Sequence, residues 1–247
     1  MTPASDRPAA RPPDKPMIYD RDYFRGRTSY FYQFGGYRDV GRYFNRLASW
    51  FRPYAGSGPV LDLGCAYGFL LSRFDDGRRL CGCDVSEWAI RQASRRFPRG
   101  EFLAADGTGP LPYEDGRFDA VLCTDVLEHI APERQGDVLA EVCRILAPAG
   151  RFCLTTPNLG YMRRWIYARA DRLERHIGMR HVREWQAELR RYGFEVTACW
   201  TYLNGFLPGR LGVTWLPECG IVARKGGSRT EGSQPSRTAA ISSRRSG

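Results

Sequence analysis

The sequence predicts an α/β protein with a doubly wound, mostly parallel seven-stranded sheet and an N-terminal helical cover. Apolar, strand-like runs alternate with stretches in which apolar residues recur at helical spacing. Repeated strand–helix units of this kind form parallel sheets, because each helix carries the chain back to the edge where the previous strand began. Several predicted strands also end at or beside an aspartate, which gathers polar groups along one edge of the sheet.

The chain of 247 residues is long enough for one such domain with additions. Residues 1–16 are rich in proline, alanine and charge, and residues 226–247 are rich in serine, glycine and arginine. Neither stretch has enough large apolar side chains to offset the entropy of ordering, so both are predicted to be disordered tails. Between them we predict the helical cover at 17–57 and the α/β domain at 58–225.

The first predicted elements lead from the cover into the sheet. Apolar residues at helical spacing indicate a helix over 38–52, and a buried strand at 59–63 follows it. A turn and a helix come next, and then the strand "RLCGCDV", which ends at Asp84. Ser86 is the expected N-cap of the following helix, because its hydroxyl can accept a hydrogen bond from a free N–H of the first turn.

The remaining elements repeat this pattern. The strands "EFLAAD" and "FDAVLCTD" end at Asp106 and Asp125, and the second is nearly all apolar, as expected of a strand covered on both faces. A helix then runs to "LAPAG", and "RFCLTTP" is the fifth strand. A last helical stripe stops at Gly193, and the strands "FEVTACWTY" and 217–224 complete the sheet.

Composition disfavours several classes of protein. The formal net charge is +10, but lysine occurs only at 15 and 225, and an arginine skew of this kind is more typical of coding bias than of a nucleic-acid surface. No apolar run approaches the ~20 residues that span a bilayer, and the first residues lack the apolar centre of a signal peptide. The eight cysteines include no CxxC pair, which argues against a structural zinc site. We therefore expect a cytoplasmic protein without a nucleic-acid partner.

The acidic strand ends predict the kind of ligand. In doubly wound sheets, ligands bind beyond the carboxyl ends of the strands, where the strand order reverses. The turn after the first strand reads "GCAYG" and lacks the third glycine of a dinucleotide fingerprint, and several acids would repel a pyrophosphate. Asp84 is placed to accept hydrogen bonds from the two hydroxyls of a ribose, and Asp106 to accept one from an adenine amino group. Asp62 lies where an ammonium group would sit. These features fit a nucleoside that carries an amino acid and a positive sulfur.

With these motifs in place, the sequence resembles the class I S-adenosylmethionine-dependent methyltransferases over about residues 58–202. The resemblance rests on the order and spacing of "VLDLGCAYG", "CDVS", "AADG", "FDAVLCTDVLEHI", "RILAPAGRFCLTTPN" and "HVREWQAELRRYGFEV". Ala66 departs from the family's usual middle glycine, and "APAG" replaces the common KPGG. The resemblance implies S-adenosylmethionine as cofactor and a set of residues that bind it. These are Asp62, Gly64, Cys65, Gly68, Asp84, Val85, Asp106, Gly107 and Asp125.

The resemblance also implies catalytic candidates at the end of the fourth strand. His129 is a candidate base for a substrate hydroxyl, with Glu128 beside it, and the alternative is that both residues cap a turn or orient the cofactor. Some relatives that methylate quinone precursors or the ends of small RNAs have a similar segment linked to a divalent metal, and there His181 would join Asp125, Glu128 and His129. The metal is the less favoured interpretation. His176 has no predicted partner and is expected at the surface.

Two further stretches bear on the acceptor. The segment 161–181 mixes aromatic side chains with arginines, and it is expected to be a lid that also packs on the domain; a membrane-surface segment is the alternative. The segment 19–44 is unusually aromatic and is expected to cover the cofactor cleft. We expect O-methylation of a small-molecule acceptor. The alternatives are an RNA ribose methyltransferase and a non-catalytic binding module with the same fold, whereas the turn chemistry disfavours an NAD-linked oxidoreductase. The sequence does not predict the oligomeric state.

Overall fold

A computed structural model of the chain describes residues 19–203 and 213–226. Apart from Gly226, the two predicted tails lie outside the described residues. The described part contains one sheet with helices on both faces.

The sheet has seven strands in the order β3-β2-β1-β4-β5-β7-β6, which confirms the predicted architecture. Strands β1 to β5 are parallel, whereas β7 runs antiparallel to both β5 and β6. The strand order reverses between β1 and β4, so the crevice beyond their carboxyl ends is the expected ligand position. The strands are β1 (Val60–Leu63), β2 (Leu80–Asp84), β3 (Glu101–Ala104), β4 (Phe118–Thr124), β5 (Leu146–Pro157), β6 (Phe194–Tyr202) and β7 (Glu218–Lys225).

Two apolar layers hold the helices against the sheet. On one face Phe51 and Trp50 pack with Trp200 of β6, and on the other Val142 and Trp185 pack over the central strands. Each layer is built from buried side chains, and their burial is the main source of stability of the fold. The helices are α1 (Arg21–Phe24), α2 (Gly41–Phe51), α3 (Glu87–Arg96), α4 (Pro132–Ile145), α5 (Tyr161–Ile166), α6 (Ala168–Leu173) and α7 (Val182–Arg191).

The predicted helix after the first strand is wrong in extent. The structure has only a short 3₁₀ turn at Leu71–Phe74. Gly68 at φ +73° keeps the chain out of helical geometry before this turn, and the polar stretch Asp75–Gly77 ends it. The turn after β1 therefore stays compact, with the backbone of 64–68 close to the sheet edge.

The fifth strand begins earlier than predicted, at Leu146 instead of Arg151. Its pairing with β4 shifts register between Phe118 and Ala120, and Ala149 takes a positive φ of 60° there. The "LAPAG" segment is thus a bulged strand entry that the helical pattern before it does not reveal.

The cover is less helical than predicted. Within residues 19–57, the one-turn α1, the longer α2 and a 3₁₀ turn at Arg52–Tyr54 are helical, and most of residues 25–40 form turns and bends. In the part of the chain that the structure describes, no helix combines the length and apolarity needed to cross a membrane.

Candidate functional site

A cavity of about 1820 Å³ lies beyond the carboxyl ends of β1, β2 and β4, at the reversal of strand order. Three parts of the chain enclose it. The strand ends form its floor, the aromatic segment 19–44 covers it, and the insertion 161–177 closes one side. The position is the one that the sheet topology predicts for a ligand.

The turn after β1 brings backbone close to this cavity. Gly64 has φ +80°, and a Cβ added there would lie 2.2 Å from Cγ2 of Val126, so this position requires glycine. Ala66, the departure from the family's glycine, takes a left-handed φ of 47° and donates its N–H to Oδ2 of Asp84 (2.9 Å). Cys65 also lines the cavity. The alanine is therefore accommodated in the tight turn with its amide bound to the neighbouring strand.

Asp84 lies at the end of β2 and faces the cavity. Oδ1 accepts the backbone N–H of Ser86 (2.8 Å), while Oδ2 accepts that of Ala66. Burial nevertheless raises the pKa of this carboxyl. A carboxylate has about four lone-pair positions, so two remain for ribose hydroxyls. Ser86 itself caps α3 by accepting from Ala89, as predicted.

Asp62 is the least satisfied acid of the site. It is buried in β1, and its Oδ1 has no hydrogen-bond partner among the described residues. Burial, together with the nearby charge of Asp84, raises the pKa of Asp62 to about 7. A buried carboxylate oxygen without a partner is costly, so it favours a cationic or hydrogen-bond-donating ligand beside it.

The side of the cavity nearest β3 is formed by Val85, Asp106 and Gly107. Val85 is more than half exposed, and Asp106 accepts both the N–H and the hydroxyl of Thr108 through Oδ1. Gly107 approaches Leu63 so closely that a Cβ would lie 2.9 Å from its Cδ1. An apolar side chain beside an acceptor suits a flat ring with an exocyclic amino group.

Asp125 lies at the end of β4 with φ +54°. Its Oδ2 accepts the hydroxyl of Tyr43 from α2 (2.5 Å), and its Oδ1 accepts that of Thr155 (3.0 Å). Asp125 therefore connects the cover to the centre of the sheet while lining the cavity.

Glu128 and His129 follow in a 3₁₀ turn and both reach the cavity. Burial raises the pKa of Glu128 well above its usual value, and Thr156 donates its hydroxyl to Oε2 (3.0 Å). Burial and the adjacent His176 lower the pKa of His129 to about 3, and its Nδ1 has no hydrogen-bond partner in the described ranges. His129 is therefore neutral at pH 7.

His176 was expected at the surface without a partner, and this prediction is wrong. Its ring lies edge-on to that of His129, with centroids 4.7 Å apart, and its Nδ1 contacts Oδ1 of Asp171 (2.8 Å). Because Asp171 is an acceptor, the contact assigns the proton to Nδ1 and leaves Nε2 as the accepting nitrogen. The sequence offers no local signal for this histidine, because the insertion must fold back against the 3₁₀ turn after β4 to bring it to the site.

A buried ion pair fixes the insertion in this position. Arg163 is almost fully buried and donates Nε to Oδ2 of Asp171 (3.0 Å) and Nη1 to Oε1 of Glu218 in β7 (2.5 Å). Against the effect of burial, His176 and Arg163 lower the pKa of Asp171, so Asp171 carries the charge that pairs with Arg163. Burial, in contrast, raises the pKa of Glu218 to about 8. Paired and hydrogen-bonded charges of this kind tolerate burial, whereas loss of one partner would strand the others.

The other predicted residues lie elsewhere. His181 is the N-cap of α7: its Nδ1 accepts the N–H of Arg183, while Glu184 accepts the N–H of His181. Neither His181 nor Gly68 lines the cavity. Within residues 19–203 and 213–226, the side chains of Glu128, His129 and His176 have donor atoms within 4.8 Å of one another and could hold a metal together. His176, and not the predicted His181, is thus the second histidine beside His129.

Glu174 anchors the aromatic cover over the cavity. The carboxylate is buried, and it accepts the hydroxyl of Ser29 (2.8 Å), the N–H of Phe31 (2.9 Å) and the hydroxyl of Tyr23 (3.3 Å). Tyr19 adds an edge-on contact to His129. The cover and the insertion thus form one connected wall, which the sequence suggested only as two separate aromatic stretches.

Comparison with known proteins places residues 60–150 in a family described as a methyltransferase domain. The chain is 38% identical over 93 residues to a demethylmenaquinone methyltransferase of Beutenbergia cavernae, covering 37% of this chain and 38% of the relative. It is 33% identical over 124 residues to a 23S rRNA (guanine(748)-N(1))-methyltransferase of Streptomyces fradiae, covering 47% and 41%. The chain thus spans less than half the length of these curated relatives.

Among solved structures, the fold is similar to that of geranyl diphosphate C-methyltransferase from Streptomyces coelicolor A3(2), which was solved with Mg²⁺, geranyl diphosphate and S-adenosyl-L-homocysteine. The TM-score is 0.60 at 14% identity, and the match covers 73% of this chain and 78% of the other. At this identity the similarity concerns the fold.

Proposed function

We propose that this chain, which belongs to the class I S-adenosylmethionine-dependent methyltransferase family, transfers a methyl group from that cofactor to the oxygen of a small molecule bound under the aromatic cover. The observation that carries the proposal is the pair Asp62 and Asp84 at the reversal of strand order. Asp62 has a buried oxygen with no partner in the described part of the chain, and Asp84 keeps lone pairs toward the cavity.

The residues of the floor fit the parts of the cofactor. Asp84 would hold the ribose hydroxyls, Val85 and Asp106 the adenine, and Asp62 with the 64–66 turn the amino-acid end. When bound, S-adenosylmethionine supplies an electrophilic methyl group on a positive sulfur. The protein contributes mainly by alignment, because proximity and orientation supply most of the acceleration when the leaving group is already good.

A hydroxyl acceptor must also lose a proton, and the cluster beside Asp125 can take it. His129 alone is a weak base in this environment, because its pKa is about 3. His176 is better arranged, since Asp171 fixes its tautomer and thereby directs Nε2 to the accepting role. We therefore assign proton acceptance to His176, with His129 and Glu128 completing the pocket beside it.

The walls of the cavity support a small, partly aromatic acceptor. Tyr19, Phe24 and Tyr32 line it from above, and exposed arginines such as Arg42 and Arg172 lie at its border. Aromatic rings bind flat apolar ligands well, while guanidinium groups suit an acidic substituent. A quinone-like phenol, a sugar or a natural-product intermediate is the proposed class, in a cytoplasmic setting.

Calorimetric titration tests the cofactor directly. We expect S-adenosylmethionine and S-adenosylhomocysteine to bind the full chain, and NAD not to bind. Affinity for NAD together with indifference to S-adenosylmethionine would overturn the proposal.

A second experiment tests the transfer. The protein is incubated with methyl-labelled cofactor and a cell extract, with and without prior ribonuclease digestion. A labelled small molecule that survives ribonuclease supports the proposal, whereas label confined to RNA supports the alternative enzyme. Binding of the cofactor without transfer to either class would favour the non-catalytic module.

A further inference from the structure

The helix α5 has an inverted pattern of burial. Arg163 points inward and is almost fully buried, whereas Trp165 and Tyr161 are 81% and 85% exposed. With about 100° between successive helical residues, Tyr161 and Trp165 share one face and Arg163 lies on the opposite one. Soluble helices normally bury the tryptophan and expose the arginine, so the outward aromatic pair needs an explanation.

A neighbouring segment brings a third exposed aromatic residue next to the start of this helix. The backbone of Trp215 passes 3.7 Å from the position of a Cβ on Gly160, directly before the helix, and its side chain is 55% exposed. We call Tyr161, Trp165 and Trp215 the aromatic face.

The charge around the aromatic face is of one sign. Between residues 158 and 183 the acids are Asp171 and Glu174, and both are buried and paired inward, with Arg163 and with the cover. Arg164 and Arg169 are exposed and have no ion-pair partner among the described residues. The surface of α5 and α6 is therefore apolar and basic, with its carboxylates removed into the interior.

We infer that the aromatic face, with Arg164 and Arg169, docks the protein on an anionic lipid surface. Tryptophan and tyrosine prefer the region of the lipid headgroups, and arginines beside them are attracted to anionic lipids. Arg172 and Leu173 of α6, and Tyr167 between the two helices, line the cavity wall, so docking places the cavity mouth at the lipid surface. The inference does not depend on the proposed methyl transfer, because it rests on the outer face of the insertion alone.

Sedimentation of the full chain with lipid vesicles tests this directly. We expect co-sedimentation with vesicles of equal parts phosphatidylglycerol and phosphatidylcholine, weaker binding at high salt, and little binding to pure phosphatidylcholine. The double variant Tyr161→Ser/Trp165→Ser should reduce the partition coefficient by at least about tenfold. The variant Arg164→Gln/Arg169→Gln should reduce it about fivefold for each charge removed.

The matched control is Arg95→Gln, an exposed arginine on α3, which packs against the β2–β3 end of the sheet and should bind vesicles as the unmodified chain does. The substituted side chains of both double variants are exposed, so both variants are expected to fold. Circular dichroism and cofactor titration check this. The inference is overturned if the variant Tyr161→Ser/Trp165→Ser binds anionic vesicles as strongly as the unmodified chain, or if the unmodified chain does not bind them. A dimer in sedimentation velocity that this variant abolishes also overturns it, because the face would then cover a second copy.

Discussion

Asp84 is the single residue on which the cofactor assignment depends most. In the variant Asp84→Asn one oxygen still accepts a backbone amide, but the charge that would hold the ribose hydroxyls is lost. Hydrogen bonds to a charged group contribute about 1.5–3 kcal/mol, so we expect S-adenosylmethionine affinity to fall by roughly ten- to a hundredfold in calorimetry. Asp115→Asn, an exposed acid outside the cavity, is the matched control. Unchanged affinity in the Asp84 variant would remove this residue from the site.

For His176 we predict an effect on the rate of methyl transfer and not on cofactor affinity. We expect His176→Asn to slow methyl transfer by about 10²–10⁴-fold, the usual contribution of a positioned acid or base, while cofactor affinity stays within error. His129→Asn should slow transfer less, because the pKa of His129 is already too low for an effective base. Initial rates on the labelled acceptor, measured against pH, distinguish the two. A larger effect at His129 would reverse the assignment.

The two kinds of residue also differ in how far the sequence reveals them. Asp62 and Asp84 lie in the last residues of β1 and β2, and Asp125 follows β4. Parallel strands bring their carboxyl ends together whatever the intervening loops do. His176 reaches the site because Asp171, which is paired with Arg163, holds its ring against the 3₁₀ turn that follows β4. That arrangement depends on the buried contacts of Arg163 with Asp171 and with Glu218 of β7, and no local pattern encodes the second of them.

At the scale of elements, Glu174 connects the insertion to the aromatic cover. The variant Glu174→Ala leaves the hydroxyl of Ser29 and the N–H of Phe31 without their acceptor, and we expect the free energy of unfolding to fall by roughly 2–3 kcal/mol. The cover should also open more often, so limited proteolysis within 25–36 should be faster. Glu87→Ala, an exposed acid on α3, is the control. Equal cleavage rates in both variants would show that Glu174 does not hold the cover.

Helices and strands with a regular pattern of apolar residues or a local capping signal were predictable, and irregular segments were not. The strand "FEVTACWTY" and the cap at Ser86 were correctly predicted, because alternation and capping are local properties. The region after β1 and the entry to β5 were not, since left-handed residues such as Gly68 and Ala149 decide them. Such conformations follow from close packing of the turn against the sheet, which only the assembled fold supplies.

The whole molecule decides whether a metal can bind. Two of the four predicted ligands are engaged elsewhere: Asp125 by Tyr43 and Thr155, and His181 as the cap of α7. We therefore expect dialysis against EDTA to leave the rate of methyl transfer unchanged, and elemental analysis to find no stoichiometric metal. Loss of activity that Mg²⁺, Mn²⁺ or Zn²⁺ restores would instead assign a metal to Glu128, His129 and His176.

The sheet as a whole also sets the response of the protein to pH, because it holds Asp62 away from water. The pKa of Asp62 is about 7 in the folded protein and near 3.8 when unfolded, so the folded chain binds more protons between these values. Its contribution to stability is thus fully present below pH ~4 and is lost as pH rises through about 7, at a cost of a few kcal/mol. Asp62→Asn should therefore be more stable than the unmodified chain at pH 8, with the difference shrinking toward pH 4, as thermal unfolding can measure.

A cationic ligand beside Asp62 offsets the cost of burying its charged carboxylate. Cofactor binding is therefore coupled to the protonation of Asp62. The positive end of S-adenosylmethionine favours the charged carboxylate, so binding lowers the pKa of Asp62 and releases a proton. Affinity should rise with pH by up to about tenfold per unit below pH 7, and calorimetry in buffers of different ionisation enthalpy should detect the released proton. Asp62→Asn should bind more weakly and lose most of this pH dependence. A flat affinity profile in the unmodified chain would mean that the buried oxygen of Asp62 does not face the cofactor.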